Sequence, residues 1–466
     1  MINIEKLDEG LKISYINAEG GLSFLDVPLR KENLFVRRLT DSSDTKRDPK
    51  FLDWAGRHTK QVKVRSAREF DKFRVEEILY NLRPEYSQLI NQYSHPKKHF
   101  IDIEVLVEDE FPKAEEAKYP MTTIGIANDK DMVFVMGTKP LTADELDFIQ
   151  NKITEQTAHL KISPVFKYDY YPDEYNMLYN FVFKVLPKII FASGWNFTKY
   201  DWLYISNRCK KLNIPLEWSS PSRKFSRNSD PMHKIIVDYM DIYKKWDRTV
   251  ALKESDTLDW VSKEVLGVNK IKYHGSIKDL YEKDYPLYVA YNAVDAILVK
   301  MLDVKLNTLS TFLKIGSISK IENTKAFSPV WLTDALCFRE MYKRGRVICP
   351  MENKDQNSTE KKSYEGAYVK EPIAGMYDWV CCYDFASLYP SVMRQFNISP
   401  DAYKGHKKIL DAGEILCASG AAFNNTEDSM FRTILDDYYG QRVSAKTIMK
   451  QTELKLNELQ TYLTTL

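Results

Sequence analysis

The sequence predicts a multidomain chain that joins an α/β domain to α+β parts. Three observations predict it. The 466 residues exceed one ordinary domain of about 150, which sets an expectation of roughly three. Between Phe100 and Leu306, short apolar runs of strand length alternate with runs of helical period. A second strand-turn-helix pattern follows at Trp379–Ile398, and an amphipathic helical pattern occupies the tail. Hydrophobic residues make up 44% and charged residues 28%, which excludes a disordered chain. The formal charge is only +2, so any nucleic-acid surface must come from local sorting of charge. The six cysteines form no CxxC pair, and reduced thiols in a cytosolic compartment are expected. No leader-like start and no apolar run of about 20 residues occurs, so a soluble, cytoplasmic protein is expected.

Taken in order, residues 1–98 mix short alternating strands with a basic stretch holding Lys46, Arg47, Lys50, Arg57, Lys60, Lys63 and Arg65. Alone, such a charge run is a solvated loop; beside a nucleic-acid site it becomes a phosphate-contacting surface. After the HPKK turn, the runs FIDIEVLV, TTIGIAN and MVFVMG predict strands. EYNMLYNFVFKVL predicts a helix and IIFASGW another strand. The polar stretch Ser219–Lys234 predicts a hairpin or loop before IIVDYM. A helix over YPLYVAYNAVDAILVKMLDVKL closes this domain, and a helical connection runs to about Arg346. Residues 351–362 are a surface loop by composition, and strands around YEGAYVKEP and WVCCYDF open a further domain.

Carboxylates mark one site. Asp102 and Glu104 sit two apart in a strand and so point to one face. Flanked by Ile101, Ile103 and Val105, they are either a solvent-facing pair or a costly buried one that needs a cation. Asn196 and Asp201 follow the strand IIFAS, where ligands collect in an α/β sheet. Tyr291 and Asp295 lie four apart, on one helix face. Asp295 interrupts an apolar helix, where a bare buried carboxylate would be destabilising. Asp238, Asp241 and Asp247 have helix-like spacing and are expected to cap and to form surface pairs.

DIE, Nx3(F/Y)D and Yx3D, in this order, resemble the three exonuclease motifs of family B DNA polymerases, with Tyr200 where Phe is usual. The resemblance implies a proofreading 3′→5′ exonuclease domain of ribonuclease H type over residues 99–310, after an N-terminal domain at 1–98. It implies that Asp102, Glu104, Asp201 and Asp295 hold two Mg²⁺ ions, with Mn²⁺ as a substitute. Hard divalent ions need such oxygen ligands to activate water for phosphodiester hydrolysis. Tyr291 would orient the attacking water, and Asn196 would position its loop or the primer end.

YDFASLYPSVMRQFNISP is the most specific string. It predicts a buried strand, a tight turn and a helix beginning near Pro390; by itself it is an ordinary unit of this kind with Asp384 as a cap. It also resembles motif A of family B polymerases, DxxSLYPS. By that resemblance Asp384 binds both metals, and the turn with Ser387 and Leu388 cradles the triphosphate. Tyr389 would lie under the incoming sugar, excluding a 2′-hydroxyl. YEGAYVKEP resembles a template-contacting segment, which assigns Tyr364 and Gly366 to DNA. Arg442 and Lys446, four apart, look like the phosphate-gripping residues of the first fingers helix. These pieces imply a partial palm at 311–430 and the start of the fingers at 431–466.

The second fingers motif and the DTD motif of the family are not in this sequence. The expectation is therefore the N-terminal part of a split or truncated replicative polymerase, most like those of large tailed bacteriophages. Primer-template DNA, dNTP, a C-terminal polymerase chain and a sliding clamp are the partners this implies, in the cytoplasm of an infected bacterium. Two alternatives stand beside it: a self-standing exonuclease whose polymerase-like tail only binds DNA, and a non-catalytic scaffold derived from a polymerase.

Overall fold

A computed structural model describes residues 1–40, 47, 50–91, 95–107, 112–160, 162–225, 230–246, 254–349, 368–385 and 387–465. Two compact units share the chain: Met1–Arg30 with Leu82–Leu332, and Lys31–Asn81 with Thr333–Leu466.

The first unit is built on a six-stranded sheet. Its strands are β1 (Lys98–Val105), β2 (Met121–Asn128), β3 (Met132–Gly137), β4 (Val165–Tyr170), β5 (Phe191–Ser193) and β6 (Ile235–Ile236). The spatial order is β4-β3-β2-β1-β5-β6. β1 pairs antiparallel with β2 and parallel with β5, so it lies centrally. Alternation then divides its side chains. Ile101, Ile103 and Val105 enter a core with Leu178, Phe181, Val182, Trp202 and Ile205, while Asp102 and Glu104 face the other way. A register shift between Glu104 and Val105 marks a bulge beside the acids.

Two helices frame the acids' surroundings. α2 (Asp201–Lys211) follows β5 and the turn at Gly194–Tyr200, and α3 (Tyr285–Leu306) packs on β1, β2, β3 and the long helix α1 (Ala143–Thr157). The bounds of α3 are those its apolar period predicts. Asp284 caps it by accepting from the Leu287 N–H at 3.1 Å, and Asn307 ends it in the left-handed region at φ 55°. A separate antiparallel sheet, Asn3–Lys6, Gly10–Ile16 and Leu22–Pro28, is tied to the same unit by the Ile4 N–H donating to Glu322 Oε1 at 2.8 Å.

IIVDYM is a strand only over Ile235–Ile236, because the chain turns into a helix at Tyr239–Trp246. Asp238 accepts from the N–H groups of Thr198 (3.1 Å) and Met240 (2.9 Å), and Asp241 pairs with Lys199 at 2.7 Å. Capping and surface pairing are what their spacing predicts; Asp247 lies outside the described residues. The Ser219–Lys234 stretch has one antiparallel bridge, Phe225 to Pro231, and its residues 226–229 also lie outside them.

In the second unit, Phe35–Leu39 pairs antiparallel with Thr59–Lys63, and a three-stranded sheet joins Tyr403–His406, Ala421–Asn424 and Glu414–Leu416. Part of the basic stretch is thus a strand carrying Lys60 and Lys63; Arg57 pairs with Asp53 at 2.7 Å. Lys46 and residues 351–362 lie outside the described residues. The helix at motif A, α4, spans Leu388–Gln395, and the tail helix, α5, spans Met430–Thr465. The expected buried strand WVCCYDF is absent: residues 379–385 have no strand geometry, and Trp379, Tyr383 and Phe385 are exposed. A strand is stabilised by cross-strand pairing, and no described residue pairs with this segment.

Candidate metal and catalytic centre

Asp102 and Glu104 leave β1 on the side covered by α3, and Asp295 comes from α3 itself. One carboxylate oxygen from each lies within 4.8 Å of the others. Asp295 is 2% exposed and Asp201 is 4% exposed, at the start of α2. Asp201 stands outside that group of three. It is nonetheless fixed beside it, because its Oδ1 accepts from the Ile103 N–H at 3.1 Å, between the two acids of β1. The structure therefore gathers the four carboxylates that the sequence places in three segments.

Their protonation shows the strain of that gathering. Burial first and Asp295 second push the Asp102 carboxyl up to about 7. Burial, then Asp102 and Asp295, raise Glu104 well above the usual carboxylate range. Asp201 is raised by burial and then by Asp102. Asp295 is raised by burial, against the opposing pull of Lys270. Clustered like charges in a low-dielectric site cannot all ionise without a counter-charge.

Two partners of these acids carry no signal in the sequence. Lys270 Nζ donates to Asp295 Oδ2 at 2.5 Å and to the Tyr291 hydroxyl at 3.3 Å. Burial lowers its pKa, yet Asp295, Tyr291 and Asp102 raise it, with a net rise. Asn292 Nδ2 donates to Asp102 Oδ2 at 2.7 Å. Lys270 sits in a loop with no motif to flag it. Asn292 lies inside Yx3D, at a position the motif leaves unspecified. Among the described residues, one ammonium against four acids leaves excess negative charge, and Asp295 Oδ1 is buried with no hydrogen-bond partner. An all-oxygen donor set of this kind fits a hard divalent cation.

Tyr291 lies at the edge of the group, one turn before Asp295 on α3. Asn196 adopts φ 58°, and its carbonyl accepts from the N–H groups of Lys199 (3.2 Å) and Tyr200 (2.9 Å). It lies in the turn that leads to Asp201.

In the second unit, Asp384, Leu388 and Tyr389 are exposed. Ser387, at φ 54°, begins α4 without a side-chain cap, so Asp384 is not the cap of this helix. Arg442 Nη1 donates to Ser387 Oγ at 2.8 Å, which unites two residues of the expected nucleotide site. Lys446 follows one turn later on α5 and is exposed. Arg394 Nε donates to Asp436 Oδ1 at 2.5 Å and ties α4 to α5. Tyr364 and Gly366 lie outside the described residues.

Comparison with known proteins decides the family. Residues 64–264 match the exonuclease domain of DNA polymerase family B, and residues 334–462 match DNA polymerase family B itself. The chain belongs to DNA polymerase family B. It is 30% identical over 397 residues to a DNA-directed DNA polymerase of Escherichia phage RB69, covering 77% of this chain and 43% of that protein. It is 30% identical over 240 residues to the DNA-directed DNA polymerase of Enterobacteria phage T4, covering 49% and 26%. A DNA polymerase of Archaeoglobus fulgidus is 28% identical over 278 residues, covering 57% and 33%. The chain thus spans less than half the length of these relatives. Its first unit carries most of the family's exonuclease match, and its second carries the polymerase match. Among the described residues, no helix is long and apolar enough to cross a membrane.

Proposed function

We propose that this family B chain excises nucleotides from the 3′ ends of single-stranded DNA with two divalent cations, Mg²⁺ or Mn²⁺, and carries half of a DNA polymerase centre. The observation that carries the reading is the convergence of Asp102, Glu104 and Asp295 within 4.8 Å, with buried Asp201 bonded to the backbone between the first two. These four would hold the ions, which supply charge neutralisation and an acidified water. Tyr291, one turn from Asp295, would orient that water, and Asn196 keeps Asp201 in reach through its turn. Lys270 offsets part of the negative charge.

In the polymerase half, Asp384 would bind metal, and Ser387, Leu388, Tyr389, Arg442 and Lys446 would hold the incoming nucleotide. Tyr364 and Gly366 would meet the template. Synthesis would require a second acidic motif, which is not among these residues; a C-terminal polymerase segment or chain would supply it. Primer-template DNA, dNTP and a sliding clamp are the further partners, in the cytoplasm of a phage-infected bacterium. The domains proposed are 1–98, a ribonuclease H-like exonuclease at 99–310, a partial palm at 311–430 and the start of the fingers at 431–466.

The test is digestion of a 5′-labelled single-stranded oligonucleotide, with and without Mg²⁺, by wild type and by Asp102→Ala/Glu104→Ala. Mg²⁺-dependent shortening from the 3′ end that the double substitution abolishes is expected. Undiminished digestion by the double variant would reject the assignment.

A further inference from the structure

Asn292 stands out among the residues around the carboxylates. It is fully buried, at 0% exposure. Its amide nitrogen donates to Asp102 at 2.7 Å; the amide oxygen in that place would face a carboxylate and repel it. The remaining oxygen, Oδ1, is buried without a hydrogen-bond partner among the described residues. Leaving such an acceptor unpaired is unfavourable, and an apolar side chain would avoid that cost.

The strand opposite makes the room. Gly125 on β2 pairs across the sheet with Asp102. A Cβ at Gly125 would lie 2.8 Å from Asn292 Oδ1 and 3.0 Å from the Asn292 carbonyl oxygen. The first distance is below any ordinary contact, so even alanine there would force the amide to move. Neighbouring positions on β2 are filled, with Ile124 and Ile126 buried in the core on the opposite face. The missing side chain at Gly125 is what allows α3 to approach close enough for Asn292 to reach Asp102.

We propose that Asn292 and Gly125 form one positioning device for Asp102. The amide engages one carboxylate oxygen, Oδ2, and so fixes the rotation of the group that presents its other oxygen to a divalent cation. Gly125 keeps the amide in place from behind. The inference rests on the reading of Asp102 as a cation ligand and adds to it two residues that touch neither substrate nor cation. Outer partners of this kind typically govern metal affinity by about 10- to 100-fold.

The experiment measures Mn²⁺ binding by electron paramagnetic resonance on the full chain, alongside thermal midpoints. Asn292→Ala should weaken Mn²⁺ binding by about tenfold. Val294→Ala, which opens a cavity on the same helix without removing a polar group, should lower the thermal midpoint and leave Mn²⁺ affinity unchanged. Gly125→Ala should weaken Mn²⁺ binding in the wild-type background and have a smaller effect when combined with Asn292→Ala, because the closer of its two clashes, with the amide oxygen, is then gone while the one with the backbone carbonyl of residue 292 stays. Wild-type affinity in Asn292→Ala would overturn the proposal, as would a Gly125→Ala effect of equal size in both backgrounds. Asp102→Ala separates the two failures: if it too leaves Mn²⁺ binding intact, the reading of the centre itself falls; if it abolishes binding while Asn292→Ala does not, only the positioning device falls.

Discussion

Replacing Lys270 by methionine removes the cation that faces the carboxylates while keeping the length of the side chain. The ammonium lies 2.5 Å from an Asp295 oxygen, with the two side chains 28% and 3% exposed. Breaking a buried pair from one side costs about 3–5 kcal/mol, and the partial exposure of the lysine favours the lower end, about 3 kcal/mol. For a unit of this size that corresponds to a fall of about 6–12 °C in the thermal midpoint. The sign depends on pH. Asp295 already has a raised pKa in the folded state through burial, and losing Lys270 raises it further. A carboxyl with a raised folded pKa is a liability above its unfolded pKa, and protonation relieves it. The deficit of Lys270→Met should therefore be full at pH 8 in chelator and shrink towards pH 4. Differential scanning calorimetry across that range reads it directly. Added Mg²⁺ should restore part of the loss at pH 8, since a cation then replaces the ammonium's charge. Equal midpoints at pH 8, or a deficit that does not change with pH, would refute the electrostatic reasoning.

Other expectations follow from the same geometry. Without divalent ions, wild-type stability should fall as pH rises from about 4 to about 7, the window between the usual aspartate pKa and the raised Asp102 value; Asp102→Asn should flatten that slope in a pH series of melts. At pH 8 in chelator, Asp102→Ala/Glu104→Ala should melt higher than wild type, because it removes clustered like charges, and addition of Mg²⁺ should no longer raise its midpoint. Arg442→Ala breaks an exposed hydrogen bond to Ser387 and should shift the midpoint by no more than about 2–3 °C. With a C-terminal polypeptide bearing the missing motif, the same substitution should slow DNA synthesis by about a hundredfold, as loss of a phosphate-facing donor does, while single-strand digestion is unchanged.

The exonuclease strands and α3 were legible because period and burial agree there. The run YPLYVAYNAVDAILVKMLDVKL is apolar nearly all round and lies on a sheet and a second helix. Asp102 and Glu104 were legible as a pair because strand alternation is a local rule. Asp295 was legible because a carboxylate buried in so apolar a helix is costly without a cation to neutralise it. Lys270 was not, since its bond to Asp295 joins residues 25 apart through a loop whose path no local pattern states. Asn292 needed the cross-strand position of Gly125, which is a tertiary fact. WVCCYDF shows the opposite failure. Its apolar run has the composition of a buried strand, but pairing is supplied by other segments, and none of the described residues provides it.

If side chains from β1 and α3 enclose a divalent cation, anomalous diffraction from crystals grown with Mn²⁺ shows it most directly. A peak bounded by Asp102, Glu104 and Asp295 is expected, lost in crystals of Asp102→Ala/Glu104→Ala. Crystals of protein that digests DNA with Mn²⁺, yet show no peak among these three carboxylates, would contradict it.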